Sequence, residues 1–334
     1  MTSYNRLPTI ADVAQRANVS IATVSRVLNG SSPVQPETAL RVMEAIKELN
    51  FTPRPAARML ANRRTDTIGL LLPEISGEFL QHLLRGIEAS VRGAGFDLLI
   101  HSTQDSRGSR PLGEHNTDGL LVFPESVDES ELRRLHDLDF PVVLLHQAPP
   151  NGIKIPMVTV ENRSGAEKLV SHLIEKHGRR RIAFLRGPEG HEDSLWRERG
   201  YRSALEAHGI PFDESLVGYG GFDERTACET TQSRLMDGLD FDAVFAGDDD
   251  SALGVIAALK QAGKQVPRDV AVVGFDDIPF ARVINPPLTT IRAPIEEVGR
   301  EAVALLVKRI QQKHCESEIL LPTELVIRQS CGCE

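Results

Sequence analysis

Two short helical patterns meet in residues 9–29, which read Thr9-Ile-Ala-Asp-Val-Ala-Gln-Arg-Ala-Asn-Val-Ser-Ile-Ala-Thr-Val-Ser-Arg-Val-Leu-Asn29. Apolar residues recur at helical spacing in both halves, with Thr9 and Ser20 at the positions of N-caps. Between the halves, Asn18 can adopt the left-handed backbone conformation of a tight turn. The pattern predicts a helix-turn-helix, although an ordinary helical hairpin with a solvated outer face has the same spacing.

The outer face of the second helix carries side chains suited to reading DNA. In a helix-turn-helix, this helix enters the major groove, where an arginine can bind a guanine edge and small apolar groups can contact thymine methyls. Arg26 and Ile21 fit these two roles. We therefore expect DNA contacts from Thr9, Ser20, Ile21, Ala22, Thr23, Ser25, Arg26 and Asn29.

The residues that follow make the pattern more specific. A third helix is predicted over about residues 36–49, and its register is set by Leu40, Met43, Ile46, Lys47 and Leu49. A proline-containing segment, Pro53-Arg-Pro-Ala-Ala-Arg-Met-Leu60, and a strand entry, Thr67-Ile-Gly, come next. Together with Thr9-Ile-Ala-Asp-Val-Ala and Thr23-Val-Ser-Arg-Val-Leu-Asn29, these motifs resemble the lactose-repressor (LacI/GalR) family of bacterial transcription regulators. The resemblance extends to the C-terminus.

The proline-containing segment separates a head, residues 1–52, from a body, residues 66–334, with a hinge at residues 53–65. Residues 56–62 favour a helix but are too few to hold one alone in water. The resemblance implies a hinge helix in the minor groove of DNA, with Leu60 as an apolar wedge and with Arg54 and Ala57 also at the DNA. A flexible interdomain linker is the alternative.

Charge is distributed unevenly between these parts. Residues 1–64 hold nine Lys/Arg against four Asp/Glu, a net of +5, whereas the remaining residues hold 29 against 43, a net of −14. A basic head on an acidic body is typical of a protein whose head alone contacts phosphates. The acidic body would be repelled from the duplex.

The body alternates strands with helices, which predicts an α/β fold with parallel sheets. By resemblance, the whole fold is an all-α helix-turn-helix head followed by an α/β body of two periplasmic-binding-protein-like subdomains, with a ligand cleft between them. One segment departs from the family, which has a helix at residues 104–116. Two glycines and a proline argue against a helix there. In the family this surface lies near the dimer contact of the first subdomain, so the resemblance does not fix the geometry of the dimer.

The cleft residues are assigned by motif, because open α/β sheets bind ligands at the carboxyl ends of their strands. Trp196-Arg-Glu-Arg-Gly-Tyr201, Asp248-Asp-Asp-Ser-Ala-Leu-Gly254 and Gly274-Phe-Asp-Asp277 match family motifs, although Asp248 replaces an Asn. His146 stands where the family has an acidic residue. By resemblance, the ligand-binding residues are Glu78, Phe79, His146, Arg197, Phe222, Asp248 and Asp276.

Structural roles are open for some of these residues. Phe222 could belong to the core, Arg197 could pair with Glu198 or Asp193, and Asp249 is expected to cap the helix after it. Carboxylates, an arginine and aromatic faces suit a polyhydroxylated ligand, so a sugar is the first expectation and a nucleobase or nucleoside the second. His146 and Asp248, which replace the residues usual in the family, favour a ligand with an extra hydrogen-bond donor or a positive group.

Other classes of protein are disfavoured. The chain has no phosphate-binding loop, nucleophile elbow or paired-histidine motif, so we expect neither an enzyme nor a cofactor. Cys331-Gly-Cys333 supplies two thiols, half a zinc site, and for want of partner ligands we expect no bound metal. With no secretory segment and no apolar run near the roughly 20 residues of a membrane span, the protein is expected in the cytoplasm, away from membranes.

The expected function is that of a transcription regulator, a repressor rather than an activator. A homodimer would place two heads on a pseudo-palindromic operator DNA, and a small-molecule effector, a sugar or sugar derivative, would control binding. No leucine-heptad extension follows the last strand, which favours a dimer over a tetramer.

Overall fold

A computed structural model describes residues 8–29, 32–51, 64–75, 77–103 and 112–334. The chain forms two compact units, Met1–Thr65 and Asp66–Glu334. Residues 53–63 of the expected hinge lie outside the described residues, as do residues 104–111 of the segment that departs from the family. Residues 112–116 of that segment form bends and turns. Among the described helices, none combines the length and the apolar character needed to cross a bilayer.

The first unit contains three helices, α1 (Ile10–Ala17), α2 (Ile21–Asn29) and α3 (Pro36–Glu48). Thr9 and Asp12 form a capping box at the start of α1, in which each side chain accepts a hydrogen bond from the backbone N–H of the other residue. Asn18 ends α1 in the predicted left-handed conformation, with φ 52° and ψ 52°. Ser20 Oγ accepts from the Thr23 N–H at 3.1 Å, which caps α2 as predicted.

The register predicted for α3 is partly wrong. Leu40 and Met43 are 63% and 56% exposed, whereas Val42 and Ala45 are buried against the other two helices. Val42, Ala45, Ile46 and Leu49 are spaced by three and four residues, so they share one helix face. The core of this unit consists of Val13, Ala14, Ala17, Val24, Val42, Ala45 and Phe51.

The second unit contains twelve strands within the described residues. They are β1 (Thr67–Leu72), β2 (Asp97–Ser102), β3 (Gly119–Val122), β4 (Val142–Leu145), β5 (Met157–Val160), β6 (Ile182–Arg186), β7 (Val217–Tyr219), β8 (Ala243–Ala246), β9 (Ala271–Asp276), β10 (Thr289–Arg292), β11 (Glu318–Leu321) and β12 (Glu324–Val326). Its helices are α4 (Gly77–Gly93), α5 (Glu129–Asp137), α6 (Asn162–His177), α7 (Glu192–Ala207), α8 (Glu224–Met236), α9 (Asp249–Gln261) and α10 (Ile295–Ile310).

The strands form two six-stranded sheets, which define two subdomains. The first sheet has the order β11-β5-β4-β3-β1-β2, and the second has the order β12-β10-β9-β8-β6-β7. Neighbouring strands are parallel except for β10 and β12, which are antiparallel. The strands with both faces covered are almost continuous apolar runs, as parallel sheets require.

The chain passes between the subdomains three times. It crosses after β5, again between β10 and α10, and a third time between β11 and β12. Glu161 lies at the first crossing, where its N–H donates to Leu321 O at 2.9 Å and its carbonyl accepts from Thr323 Oγ1 at 3.1 Å. The first and third connections are therefore hydrogen-bonded to each other beside the cleft.

Helix pairs in the body pack closely through glycines. A Cβ added to Gly254 in α9 would lie 2.0 Å from the Glu224 carbonyl oxygen of α8. A Cβ added to Gly86 in α4 would likewise lie 2.0 Å from the Glu296 carbonyl oxygen of α10. Any side chain at these positions would force the two helices apart.

Candidate ligand cleft and nucleic-acid interface

A cavity of about 530 Å³ lies between the two subdomains, among the loops that follow the carboxyl ends of the strands. This volume falls within the range of about 300–1,000 Å³ that is typical of small-molecule sites. The first subdomain contributes Glu74, Gly77, Phe79 and Phe123 to its lining. The second contributes His191, Asp193, Arg197, Phe222, Asp223, Glu224, Asp248, Asp250 and Asp276.

Five of the seven residues expected to bind ligand line this cavity: Phe79, Arg197, Phe222, Asp248 and Asp276. Glu78 lies in the first turn of α4, outside the lining, and His146 is buried behind it. The sequence motifs therefore bring together residues from segments that follow or end five different strands, β1, β6, β7, β8 and β9.

Arg197 joins three parts of the second subdomain. Its Nη1 donates to Gly247 O at 2.7 Å and its Nη2 to Asp276 Oδ1 at 3.2 Å, after β8 and at the end of β9. Its Nε donates to Asn162 Oδ1 at 2.9 Å, at the start of α6. The guanidinium also lies 3.8 Å from the centroid of the Phe275 ring, so only part of it remains for a ligand.

His146 takes part in a buried network instead of facing the cavity. Its Nδ1 donates to Asp193 Oδ2 at 2.8 Å, and Asp193 Oδ1 accepts from Asn162 Nδ2 at 2.8 Å. The imidazole packs against Phe79 and Phe123, with ring centroids 5.5 and 5.8 Å away. His146 therefore positions two aromatic residues and one carboxylate that do line the cavity.

The helix cap that was expected from Asp249 comes from Asp248 instead. Asp248 caps α9 through a hydrogen bond that its Oδ1 accepts from the Ser251 N–H at 2.9 Å. Asp249, which was expected to form that cap, is fully buried and accepts from Thr290 Oγ1 at 2.6 Å and from the Ile278 N–H at 3.0 Å. Asp249 thus links α9 to β10 and to the loop after β9, because its side chain points into the sheet.

Phe222 is held in a slot between two glycines. A Cβ on Gly187 would lie 2.3 Å from the Phe222 ring, and one on Gly247 would lie 3.0 Å from it. The His191 ring meets the same phenyl ring edge to face, with centroids 5.3 Å apart. Phe222 is half-buried at the cavity, so it is not a core residue, and it offers a rigid aromatic surface to a ligand.

Strained backbone conformations cluster at this end of the sheets. Five non-glycine residues with positive φ follow or end strands there: Glu125 at 63°, His146 at 53°, Phe222 at 56°, Asp276 at 106° and Asp277 at 56°. Such conformations cost about 1–3 kcal/mol each and persist where the surrounding structure fixes them, often at binding sites. Asp277 is fixed in this way by ion pairs with Arg292 and Arg328.

The electrostatics of the cavity are dominated by carboxylates. Burial, with the nearby Asp276 carboxylate, raises the pKa of Asp248 to about 7 and that of Asp250 to about 6. Burial also raises the pKa of Asp276, although Arg197 opposes that shift. Burial lowers the pKa of His191 to about 4, so this imidazole is neutral at pH 7.

Asp193 behaves differently from the other acids. Burial would raise its pKa, but His146 and Arg197 hold that pKa well below the usual range. Arg197 is the only lysine or arginine among the described lining residues, and its charge is already shared with Asp276 and Asp193. The cavity therefore favours an uncharged or positively charged ligand over an anionic one.

Several lining residues were not predicted from the sequence. Phe123 follows β3, and His191 and Asp193 lie at the loop and helix start after β6. Their only sequence feature is their place just beyond an apolar strand, which many solvent-exposed loop residues share. Asp193 is one of the two ion-pair partners expected for Arg197, and it lies 3.8 Å from that guanidinium.

The outer face of α2 is accessible, as a DNA-reading helix requires. Ile21 is 52% exposed, and Ser20, Ala22 and Arg26 are also exposed. Thr23 and Ser25 are half-exposed, Thr9 lies at the start of α1, and Asn29 ends α2. The predicted contacts Arg54, Ala57 and Leu60 lie outside the described residues.

Two family descriptions match the chain. "Bacterial regulatory proteins, lacI family" matches residues 9–54, and "Periplasmic binding protein-like domain" matches residues 170–331. The first match covers α1 to α3, and the second covers most of the second subdomain.

Individual relatives match over nearly the full length. The HTH-type transcriptional regulator CelR of Thermobifida fusca is 36% identical over 97% of this chain and 98% of its own. A solved CelR–cellobiose complex aligns with 35% identity and a TM-score of 0.74, covering 97% of this chain and 99% of that one. A lac repressor dimer bound to operator and the anti-inducer ONPF aligns with 25% identity and a TM-score of 0.85, covering 98% and 99%.

Proposed function

This chain belongs to the lacI family of bacterial regulatory proteins and is therefore a DNA-binding transcription regulator, not an enzyme, and we propose that it is a dimeric repressor controlled by a sugar. Its site of action would be the cytoplasm, where the chromosome lies. The observation that carries the proposal is one chain holding both an exposed helix-turn-helix and a cleft lined from two subdomains.

The head supplies the DNA-reading surface. Arg26 and Ile21 lie on the exposed face of α2, the first suited to a guanine edge and the second to a thymine methyl. The net charge of +5 on residues 1–64 favours phosphate contact, so binding should weaken steeply with salt. Two copies related by a two-fold axis would read a pseudo-palindromic operator. The hinge residues Arg54, Ala57 and Leu60 would add minor-groove contacts.

The cleft supports a polyhydroxylated ligand that is neutral or positively charged. Arg197 and Asp276 provide donors and an acceptor for adjacent hydroxyl groups. Phe79 and Phe123 from one subdomain and Phe222 from the other provide flat surfaces for the apolar face of a sugar ring. Cellobiose is bound by the relative CelR, so a neutral disaccharide is the first candidate.

Ligand binding would change the angle between the subdomains. The cleft has residues of both subdomains on its walls, and three strand connections join them beside it. A ligand that contacts both walls stabilises the closed arrangement and so shifts the population of DNA-binding dimers. The coupling is reciprocal, so operator DNA must change the affinity for the ligand by the same factor.

The proposal is tested by a thermal-shift screen of the full chain. The panel comprises neutral mono- and disaccharides including cellobiose, amino sugars, nucleosides and sugar phosphates, and a ligand of the native state raises the melting temperature. We expect stabilisation by a neutral or amino sugar and none by a sugar phosphate. Stabilisation by nucleosides alone would replace the sugar with the second candidate class.

Operator binding then decides the regulatory role. Fluorescence anisotropy with operator and random DNA, with and without the selected sugar, should show sequence-specific binding that the sugar alters. Asp276→Asn should abolish this response and leave operator binding in place, whereas the exposed control Asp240→Asn should respond normally. An intact response in Asp276→Asn would place the ligand elsewhere. A single-chain mass in sedimentation would contradict the dimer.

A further inference from the structure

The C-terminal turn is fixed to the second sheet. A short 3-10 helix, Gln329–Cys331, follows β12, and Ser330 in it is fully buried. Ser330 Oγ donates to Val272 O of β9 at 2.6 Å and accepts from the Thr289 N–H of β10 at 2.8 Å. These bonds hold Cys331 and Cys333 at one place on the body, beside the last turn of α6.

The two histidines of α6 lie opposite the two cysteines. His172 Nε2 is 3.6 Å from Cys331 Sγ and 3.6 Å from Cys333 Sγ, and His177 Nε2 is 3.3 Å from Cys333 Sγ. The four potential ligand atoms all lie within 4.8 Å of one another. The sequence-based expectation that the thiols lack partner ligands is therefore wrong, because the fold brings His172 and His177 to them.

These distances are those of a tetrahedral metal site. With metal–sulfur bonds of about 2.3 Å and metal–nitrogen bonds of about 2.0–2.1 Å, tetrahedral angles place sulfur and nitrogen about 3.6 Å apart. Three of the six separations between the potential ligand atoms, at 3.3–3.6 Å, match this value, and all six lie within 4.8 Å. Two thiolates and two imidazoles form a set that selects zinc over calcium or magnesium, which prefer oxygen ligands.

We propose that His172, His177, Cys331 and Cys333 bind one zinc ion. Binding displaces two thiol protons, which pass to the solvent, and the imidazoles coordinate in their neutral form. Because all four positions are protein ligands, the site is of the closed, structural kind.

The surroundings suit such a site. His172 is 8% exposed and Cys331 is fully buried, so the ion would be shielded from water on one side. Thr289 Oγ1 lies 3.2 Å from Cys331 Sγ and can orient that thiolate by a hydrogen bond. Gly332 has φ 112°, and a Cβ there would lie 3.1 Å from the His177 ring, so glycine allows both cysteines to face the histidines.

Zinc would join the C-terminus to the end of α6. The other end of this helix is Asn162, which bonds Arg197 and Asp193 in the cleft network. Loss of the ion should therefore loosen α6 and lower the melting temperature of the body, without removing any group that lines the cleft.

The test uses the full chain, purified with reductant, stripped with a chelator and titrated with zinc chloride. Calorimetry and elemental analysis should show one zinc ion per chain and a higher melting temperature in the zinc form. Cobalt should give the ligand-field absorption of a tetrahedral ion with thiolate charge-transfer bands. Cys333→Ser and His177→Gln, at half-exposed positions, should weaken zinc binding by more than about 100-fold, because loss of even a second-shell partner costs roughly 10- to 100-fold.

Cys228→Ser is the matched control, since Cys228 is a half-buried free cysteine outside the cluster. It should bind zinc and cobalt as the wild type does. Substoichiometric zinc in the wild type, or equal uptake by Cys333→Ser, would overturn the proposal. A third outcome would also overturn it: no zinc uptake in the presence of reductant, together with the loss of two free thiols in air. That result would show that Cys331 and Cys333 form a disulfide instead.

Discussion

Replacement of Arg197 by alanine should destabilise the body as well as remove a proposed ligand contact. Arg197 is 2% exposed, and its guanidinium donates hydrogen bonds to Asn162, Gly247 and Asp276. Its removal leaves the buried Asp276 carboxylate without its ion-pair partner and also removes the guanidinium that lies 3.8 Å from Asp193. Breaking a buried ion pair from one side costs about 3–5 kcal/mol.

This cost corresponds to a fall in melting temperature of roughly 6–20 °C, at about 2–4 °C per kcal/mol for a unit of this size. The loss should be smaller at acid pH. Without Arg197, the pKa of Asp276, already raised by burial, rises further, so a proton replaces the missing cation as the pH falls. The difference in melting temperature between the wild type and Arg197→Ala should therefore be largest above pH 7 and become smaller towards pH 5.

Differential scanning calorimetry of the full chain at several pH values measures both effects. The control is Arg199→Ala, because Arg199 is exposed on the same helix and should change the melting temperature little. The double variant Arg197→Met with Asp276→Asn should be more stable than Arg197→Met alone, since it leaves no unpaired charge at Asp276. Equal melting temperatures for Arg197→Ala and Arg199→Ala would refute this reasoning.

Three further results are expected. The folded-state pKa of Asp248 is about 7, above its unfolded value near 4, so this group lowers the stability of the protein as the pH rises from about 4 to 7. Asp248→Asn keeps the helix cap, and it should reduce this pH-dependent loss of stability in urea titrations. Arg26→Ala should cost about 1–3 kcal/mol of binding free energy on operator DNA and less on random DNA in anisotropy titrations. Equal losses on both DNAs would indicate a phosphate contact. Arg41→Ala on α3 serves as the control. Gly254→Ala should destabilise by about 1–3 kcal/mol in thermal melts because its Cβ meets α8, while Gly93→Ala, with open space around it, should be neutral or slightly stabilising.

Much of the architecture could be predicted from the sequence because the strands of the body are short apolar runs between turn residues. The apolar runs at residues 67–72, 142–145 and 243–246 predict strands with the bounds that β1, β4 and β8 have, and most other predicted strands differ by one or two residues. The sequence pattern predicts neither the helix α6 nor the short strand β7. The buried residues of α6 include His172, Leu173 and Ile174, which are consecutive and so point in different directions around the helix axis, and a narrow amphipathic stripe is missing.

The candidate site shows a similar division. Arg197 and Asp276 lie in motifs with a characteristic spacing, so they could be placed at the cleft by resemblance. The position of His146 depends on how Phe79 and Phe123 pack around it, which periodicity does not reveal. The four residues of the proposed zinc site could not be grouped either, because more than 150 residues separate the histidines from the cysteines and only the folded sheet brings them together.

The order of strands in the first sheet has a consequence for synthesis of the chain. The strand β5 pairs with β4 on one side and with β11 on the other, and the register joins Thr159 to Leu320. About 160 residues therefore leave the ribosome between the two partners, which takes roughly 10–30 s at about 5–20 residues per second. Throughout that time the nascent sheet has an unpaired apolar edge at β5, which is open to pairing with neighbouring chains or to protection by a chaperone.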